Sequence, residues 1–212
     1  MKHIVQLDLA LFASGRGSNF QAVLEAIAHG KLNARVAVLI TDNAQAPALQ
    51  IAQRARIATA VINEKNYSET ERFVVDLLEL LQNHRANFIV LSGYLRKIPN
   101  RVIQEYRGRI INIHPALLPG FGGKGMYGMR VHEAVLAYGC KVSGATVHLV
   151  DEEYDSGAPI LQRCVPVLND DTPETLAARV LEVEHQILPE ALQCFAEDRL
   201  QIVGRLVLIR TG

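Results

Sequence analysis

Short apolar runs alternate with longer amphipathic stretches through the first half of the chain. The runs predict strands at about 4–13, 34–41, 58–62, 87–93 and 109–113, and the helical period between them predicts helices at about 19–29, 45–56, 68–84 and 99–105. The runs "RVAVLIT" and "FIVLSG" hardly alternate, which is typical of parallel strands covered on both faces. This order predicts an α/β fold with a doubly wound, mostly parallel sheet and a Rossmann-like N-terminal half.

The pattern changes after residue 114. A glycine-rich loop is followed by a short predicted helix at 130–138 and predicted strands at 142–150 and 158–167. Partial alternation in "VSGATVHLV" favours an antiparallel extension of the sheet. A long helix is predicted at about 172–196, with Asp171 or Thr172 as its cap, and a terminal hairpin or strand follows. No repeat or linker is evident, so we expect a single domain over 1–212, with halves 1–114 and 115–212.

Charge and composition narrow the class of protein. The 22 basic residues equal the 22 acidic ones, and such a balance argues against a nucleic-acid-binding or membrane-surface protein. The three cysteines, Cys140, Cys164 and Cys194, have no CxxC spacing and predict neither a disulfide framework nor a zinc site. The apolar N-terminal run is short and contains Asp8, so a first strand is favoured over a signal peptide. With no apolar run of about 18 residues, we expect a cytoplasmic protein with no membrane span.

The segment "FASGRGSNFQAVLEAI", residues 12–27, leads from a predicted strand through a glycine turn into a predicted helix. Backbone N–H groups at a helix N-terminus lack intrahelical partners and favour an anion. Gly17, Ser18 and Asn19 are therefore candidate phosphate-binding residues, and a capped tight turn is the alternative. The segment is not GxGxxG, but Asp42, at the end of the second predicted strand, leaves a dinucleotide site open.

The segment "IINIHPALLPGFGGKG", residues 110–125, places an amide and an imidazole at the end of a predicted strand. Asn112 and His114 are two positions apart, so they project from the same face. The carboxyl ends of parallel strands form the crevice where α/β proteins bind ligands. Asparagine offers a donor to an oxyanion, and histidine exchanges a proton near neutral pH. The alternative is a strand end with a structural histidine.

The segment "DEEYDSGAPILQ", residues 151–162, contains four carboxylates within five residues. They form a solvated turn, a metal site, or a pair in which Asp155 reaches an active-site histidine. A carboxylate beside histidine stabilises the imidazolium and raises its pKa. His132, His148 and His185 are further candidates for the lining of a cleft. The sequence has no HExxH motif or similar ligand spacing, so we expect no metal.

The segments "SGRGSNFQ", "NIHPALLPGF" and "VDEEYDSGAPILQ" together, in this order, resemble the phosphoribosylglycinamide formyltransferases. These folate-dependent glycinamide ribonucleotide transformylases belong to the formyltransferase family. The resemblance covers about residues 4–204. The His-Pro-x-Leu-Leu-Pro segment is shared more widely, by methionyl-tRNA formyltransferases and by formyltetrahydrofolate hydrolases and dehydrogenases. Fewer members of this wider group carry the Gly-x-Gly-Ser-Asn loop. The tRNA enzymes and the hydrolases look like this domain with another domain added.

The resemblance implies transfer of a formyl group from 10-formyltetrahydrofolate, as co-substrate, to the amine of 5-phosphoribosylglycinamide in de novo purine synthesis. By the same resemblance, Asn112 and His114 hold the oxyanion of a tetrahedral intermediate, His114 transfers the proton and Asp155 raises the pKa of His114. No metal is involved. The enzyme would be a monomer or homodimer that acts on small molecules.

Binding roles are also implied by the resemblance. Gly17, Ser18 and Asn19 would bind the substrate phosphate, and Glu184 would contact the substrate ribose. The first half would thus bind the phosphate, and the second would bind folate and close the site. The folate would lie against residues from two segments and Asn112; these residues are Leu95, Arg96, Lys97, Ile98, Asp151, Glu152, Glu153, Tyr154 and Asp155.

Three alternatives stay open at this point. The nearest is a formyltetrahydrofolate hydrolase, or formyl transfer to another amine on the same fold. A non-catalytic folate- or nucleotide-binding protein is disfavoured because it has no need of Asn112, His114 and Asp155 together. A nicotinamide oxidoreductase is third. The sequence also departs from the family pattern, for example in the Arg16 side chain of the phosphate loop and in the long glycine-rich loop 120–130. We expect this loop to act as a mobile lid.

Overall fold

A computed structural model describes residues 6–210 of the chain. The described residues divide into two compact units, 6–111 and 112–210. The strand Ile110–His114 contains the boundary between them. The expectation of one domain with halves 1–114 and 115–212 stays a prediction.

The first unit alternates strands and helices as the apolar pattern predicts. Its elements are β1 (Leu7–Phe12), α1 (Ser18–Ala28), β2 (Ala34–Thr41), α2 (Ala48–Arg54), β3 (Thr59–Val61), a 3-10 helix (Glu64–Asn66), α3 (Thr70–Asn83), β4 (Phe88–Leu91), α4 (Asn100–Glu105) and the first residues of β5 (Ile110–His114). Strand β1 pairs in parallel with both β2 and β4, and β2 pairs in parallel with β3. Leu9, Leu11 and Phe12 are fully buried, because a central parallel strand is covered on both faces.

The second unit contains the antiparallel part of the fold. Its further elements are α5 (Met129–Tyr138), β6 (Val142–Leu149), β7 (Pro159–Pro166), α6 (Pro173–Ala196), β8 (Leu200–Val203) and β9 (Leu206–Ile209). Strands β6 and β7 pair antiparallel, as do β8 and β9. Helix α6 begins at Pro173 behind Thr172, whose side chain and that of Thr175 form a reciprocal capping box. Thr172, rather than Asp171, is thus the cap.

The seven-stranded sheet has the order β3-β2-β1-β4-β5-β6-β7, and β8 and β9 form a separate two-stranded sheet. The strand order reverses at β1, which is the hallmark of a doubly wound sheet. The predicted α/β class, with a mostly parallel sheet and an antiparallel extension, is therefore confirmed.

The element boundaries differ in detail from the predicted ones. Strand β1 begins at Leu7 in the described chain, and positions 4 and 5 of the predicted strand lie outside the described residues. The 3-10 helix Glu64–Asn66 was not predicted, because a single turn is too short to produce a period. The three cysteines are unpaired thiols. No helix within residues 6–210 has both the length and the apolar character needed to cross a membrane.

Candidate active site

The end of β5 carries a buried histidine that faces a carboxylate. The Nδ1 atom of His114 lies 3.6 Å from Oδ2 of Asp155, and both side chains are largely buried. The Nε2 atom of His114 donates a hydrogen bond of 2.9 Å to the carbonyl oxygen of Phe121. Since Nε2 carries that hydrogen, a second proton on the ring would occupy Nδ1 and form an ion pair with Asp155.

Burial and charge act in opposite directions on these two groups. Burial lowers the pKa of His114 and outweighs the upward contribution of Asp155, so the net pKa lies below the usual value of histidine. Burial alone would raise the pKa of Asp155. The nearby imidazole of His114 and the hydrogen bond from the N–H of Gly123 act against that penalty, and the net pKa of Asp155 lies below its usual value. The pair therefore favours a neutral imidazole beside an ionised carboxylate at neutral pH.

Asn112 contacts a second buried histidine. Its Nδ2 atom lies 3.1 Å from Nε2 of His148, on strand β6. The same Nε2 lies 3.6 Å from Oδ1 of Asp155. The sequence named His148 only as a candidate for the lining of a cleft, because a single histidine in an alternating strand resembles an ordinary core position. The two residues Asn112 and His114, together with Asp155 and His148, form a cluster within the second unit, which we call the His114 cluster.

The loop after Pro119 closes over this cluster through its backbone. Besides the Phe121 carbonyl on His114, the N–H of Gly123 donates a 2.8 Å hydrogen bond to Oδ2 of Asp155. A Cβ atom added at Gly122 would lie 2.5 Å from Leu118 Cδ2 and 3.2 Å from Asp155 Cβ. Phe121 adopts φ +54°, a left-handed conformation that a bulky residue rarely takes. The loop thus approaches Asp155 closely only because glycine occupies position 122.

A threonine on β6 holds the segment that follows His114. The hydroxyl of Thr146 donates to the carbonyl of Ala116 at 2.6 Å and accepts from the N–H of Leu118 at 3.1 Å. Gln162, on β7, donates to the carbonyl of Leu118 at 2.8 Å. Thr146 is fully buried. These bonds satisfy the backbone polar groups of a turn that contains two prolines, and they fix the direction in which the chain leaves β5.

The candidate phosphate loop lies at the start of α1. Gly17 is the N-cap of the helix, with φ +75°, and no side-chain hydrogen bond caps the helix within the described chain. A Cβ at Gly17 would lie 2.7 Å from the Cβ of Ala48. Ser18 begins the helix, and Asn19 is buried. The backbone amides of this first turn therefore have the arrangement that binds anions in other helices.

A buried carboxylate in the first unit joins β1 to the segment after β4. Ser14 donates to Oδ1 of Asp42 at 2.5 Å, and Arg96 Nε donates to Oδ2 of Asp42 at 2.8 Å. The Ser14 hydroxyl also accepts from the N–H of Leu95 at 3.1 Å. Both carboxylate oxygens of Asp42 are thus engaged within the protein. This weighs against Asp42 as the ribose-binding acid of a dinucleotide site.

The remaining predicted site residues occupy more exposed positions or lie elsewhere in the fold. Asp155 is the one residue of 151–155 that joins the His114 cluster. Asp151 instead accepts hydrogen bonds from the N–H of Glu153 and from Ser156, and Tyr154 is exposed. In the segment 95–98, Leu95 is exposed and Ile98 is buried. Glu184 is buried on α6.

Two further features bear on the chemistry of the second unit. His132, on α5, is buried, and burial together with the charge of His114 lowers its pKa. Within residues 6–210, no group of three or more His, Cys, Asp or Glu side chains is arranged to hold a metal ion. The chemistry available from the His114 cluster is proton transfer and hydrogen bonding to a developing negative charge.

Known proteins share this arrangement of elements. The family model described as "Formyl transferase" matches residues 7–192. The chloroplastic phosphoribosylglycinamide formyltransferase of Vigna unguiculata is 44% identical over 192 residues, which cover 91% of this chain. The chain spans 62% of the length of that relative.

Solved structures extend the comparison. Glycinamide ribonucleotide transformylase 1 from Symbiobacterium toebii superposes with a TM-score of 0.90 at 39% identity, with coverage of 99% of this chain and 95% of that one. A formyltetrahydrofolate deformylase from Pseudomonas syringae pv. tomato superposes with a TM-score of 0.85 at 25% identity, with coverage of 97% of this chain and 66% of that one. The chain is therefore more similar in sequence to the transformylase, at 39% identity, than to the deformylase, at 25%.

Proposed function

The chain belongs to the formyl transferase family, and on that premise we propose that it is a phosphoribosylglycinamide formyltransferase. It transfers the formyl group of 10-formyltetrahydrofolate to the amine of 5-phosphoribosylglycinamide in de novo purine synthesis. The observation that carries this proposal is the His114 cluster, in which an amide and a buried imidazole lie beside an ionised carboxylate. The similarity to the transformylase structure supports the choice of acceptor.

The proposed reaction is acyl transfer through a tetrahedral intermediate. The amine attacks the formyl carbon, and the carbonyl oxygen becomes an oxyanion. Asn112 Nδ2–H and His114 donate hydrogen bonds to that oxygen, which preferentially stabilises the transition state. The amine loses a proton and N10 of the folate gains one as the C–N10 bond breaks, so the products are the formylated ribonucleotide and tetrahydrofolate.

His114 is suited to carry that proton. Its lowered pKa leaves the ring neutral at pH 7, with hydrogen on Nε2 and a lone pair on Nδ1. Nδ1 can therefore accept, through water ordered beside Asp155, the proton that the amine nitrogen releases after its attack on the formyl carbon. The imidazolium formed in this way places its charge against Asp155, which lies 3.6 Å away. Asp155 therefore favours the charged form that exists during the reaction, although burial dominates the resting pKa.

The loop over the cluster must shift before His114 meets substrate. In this structure the hydrogen on Nε2 is donated to the Phe121 carbonyl, and Nδ1 faces Asp155. Binding of formyl-folate would displace the Phe121 carbonyl and release Nε2–H to the formyl oxygen. The glycines of the loop, with φ of +94° at Gly123 and +91° at Gly125, allow such rearrangement.

Binding roles follow from the family motifs. Gly17, Ser18 and Asn19 bind the phosphate of the ribonucleotide through the N-terminal amides of α1, and Glu184 contacts its ribose. The pteridine of the folate lies against the backbone of Leu95–Ile98 and of Asp151–Asp155. The reaction uses no metal. We further propose a cytoplasmic enzyme that acts on small molecules as a monomer or homodimer, and that binds neither nucleic acid nor membranes.

The experiment that tests the proposal is a folate assay with purified protein. Absorbance reports the loss of 10-formyltetrahydrofolate with and without 5-phosphoribosylglycinamide. We expect turnover only when the ribonucleotide is present. Turnover without any acceptor would instead establish a formyltetrahydrofolate hydrolase, the second candidate, which the similarity to the deformylase structure supports.

A further inference from the structure

His148 belongs to the His114 cluster but has no role in the reaction described above. It is buried on β6, with 2% of its surface exposed. Its Nδ1 atom lies 2.7 Å from the carbonyl oxygen of Leu149. A carbonyl oxygen only accepts hydrogen bonds, so Nδ1 must carry the hydrogen. The neutral ring then presents a lone pair, not a hydrogen, at Nε2.

That lone pair selects which end of the Asn112 amide faces it. The Nδ2 atom of Asn112 lies 3.1 Å from Nε2 of His148, within the range of an N–H···N hydrogen bond. If the amide were reversed, its oxygen would face the lone pair and the two acceptors would repel. The carboxylate of Asp155 also faces Nε2, but at 3.6 Å it lies beyond hydrogen-bonding distance. The tautomer of His148 therefore fixes the direction of the Asn112 amide.

This direction is the one the proposed reaction requires. An amide has two N–H groups on its nitrogen, and one of them is donated to His148. The other remains for an oxyanion, which needs a donor and would be repelled by the amide oxygen. The chain of hydrogen bonds therefore leads from the Leu149 carbonyl through His148 to Asn112, and all three residues belong to the second unit.

We propose that His148 is a positioning residue that holds the Asn112 amide with its nitrogen toward the reacting carbonyl. The inference rests on the proposed formyl transfer for its catalytic meaning. His148 itself exchanges no proton with substrate. Its effect on the rate passes through Asn112, and this separates it from a residue that merely fills the core.

The first test uses nitrogen NMR of the histidine rings at about pH 8, where neutral imidazole predominates. His148 is assigned by comparison with the His148→Gln spectrum. We expect hydrogen on Nδ1 and an unprotonated Nε2, with an Nε2 resonance that moves when Asn112 is replaced by Ala. Hydrogen on Nε2, or an Nε2 resonance that Asn112→Ala leaves unchanged, would overturn the inference. This test requires no turnover.

The second test is a double-mutant cycle on formyl transfer. We expect His148→Ala to lower kcat by about tenfold or more, because a donor displaced by a fraction of an ångström loses much of its effect. In an Asn112→Ala background the same change should lower kcat by less than about twofold, since its target is already absent. The KM for the ribonucleotide should change by less than about twofold in either case. Circular dichroism establishes that each variant is folded, and His148→Gln replaces any variant that is not.

His29 supplies the control, because it is an exposed histidine at the C-terminal end of α1 in the first unit. His29→Ala should leave kcat unchanged in both backgrounds. Equal losses from His148→Ala with and without Asn112, or no loss in either, would overturn the positioning role. If the wild-type protein transfers no formyl group, the proposed function fails, and the NMR test still decides whether His148 orients Asn112.

Discussion

The imidazole of His114 lies between two acceptors. Its Nε2–H donates a hydrogen bond to the carbonyl of Phe121, and its Nδ1 atom lies 3.6 Å from Oδ2 of Asp155. This arrangement ties the resting state of the histidine to the position of the loop above it. Removal of the carbonyl would expose Nε2 while leaving Asp155 in place. The predictions below test the parts of this arrangement separately.

The two proposed oxyanion donors should each be essential for fast turnover. Asn112→Ala and His114→Ala should lower kcat on the order of 10²-fold or more, as loss of an oxyanion donor does elsewhere. Steady-state kinetics with both substrates measure the effect, and His29→Ala, an exposed histidine, is the control. Substantial activity in either variant would contradict the assigned mechanism.

Replacement of Asp155 should lower the pKa of His114 still further. Burial already holds that pKa below the histidine value of about 6.5, and Asp155 acts against it by favouring the charged ring. Asp155→Asn removes the upward contribution. An NMR titration of His114 should therefore show protonation at lower pH in the variant, with the His29 signals unchanged. The rate, which needs neutral His114 as acceptor, should fall as pH falls through the same pKa. A His114 pKa that rises in the variant would show that Asp155 does not stabilise the imidazolium.

The turn before α1 should tolerate a side chain at one glycine and not at the other. Gly17→Ala puts Cβ on a backbone with φ +75° and 2.7 Å from the Cβ of Ala48, and the left-handed conformation alone costs about 1–2 kcal/mol. At Gly15 an added Cβ has nothing within 4 Å, so Gly15→Ala is the matched control. Chemical denaturation should show a lower free energy of unfolding for Gly17→Ala than for Gly15→Ala. Equal stabilities would mean that the turn is free to relax.

The Asp42 carboxylate should matter for folate binding more than for the chemical step. Asp42→Asn weakens the bonds to Arg96 and Ser14, and Ser14 in turn bonds the N–H of Leu95 in the proposed folate segment. We expect the KM for 10-formyltetrahydrofolate to rise severalfold while kcat changes little, because binding lost equally from ground and transition states acts on KM. Asp8→Asn, which breaks the more exposed Asp8–Arg35 pair at 2.9 Å, is the control. An unchanged KM with a reduced kcat would place Asp42 in the chemical step instead.

The hydrophobic pattern predicted the elements well because the long helices repeat a helical period and the buried parallel strands form short apolar runs between them. The strand Ala34–Thr41 was predicted to its exact ends, since the apolar run of residues 36–40 lies between polar and turn-forming residues on both sides. Asn112 and His114 were recognisable because two polar groups interrupt a buried strand at its carboxyl end. Their partner Asp155 was named without any evidence of contact, because sequence spacing does not report distances through space.

Other contacts of the site could not be predicted from the amino-acid sequence. The contact of His114 with Phe121 is made by a backbone carbonyl, which every residue possesses. The link between Asn112 and His148 depends on the register of β6 and on a ring tautomer. The net pKa of His114 depends on burial, so a carboxylate neighbour alone suggested a raised value where the structure has a lowered one. These properties arise from packing, which the one-dimensional pattern does not contain.

The most direct test of the central claim is to follow the formyl carbon itself. The purified protein would be given 10-formyltetrahydrofolate with a 13C-labelled formyl group, together with 5-phosphoribosylglycinamide, and the products would be identified by NMR. The account predicts that the label appears in an amide of the ribonucleotide, in equal amount to the tetrahydrofolate released. Label recovered as formate, with the ribonucleotide unchanged, would contradict it.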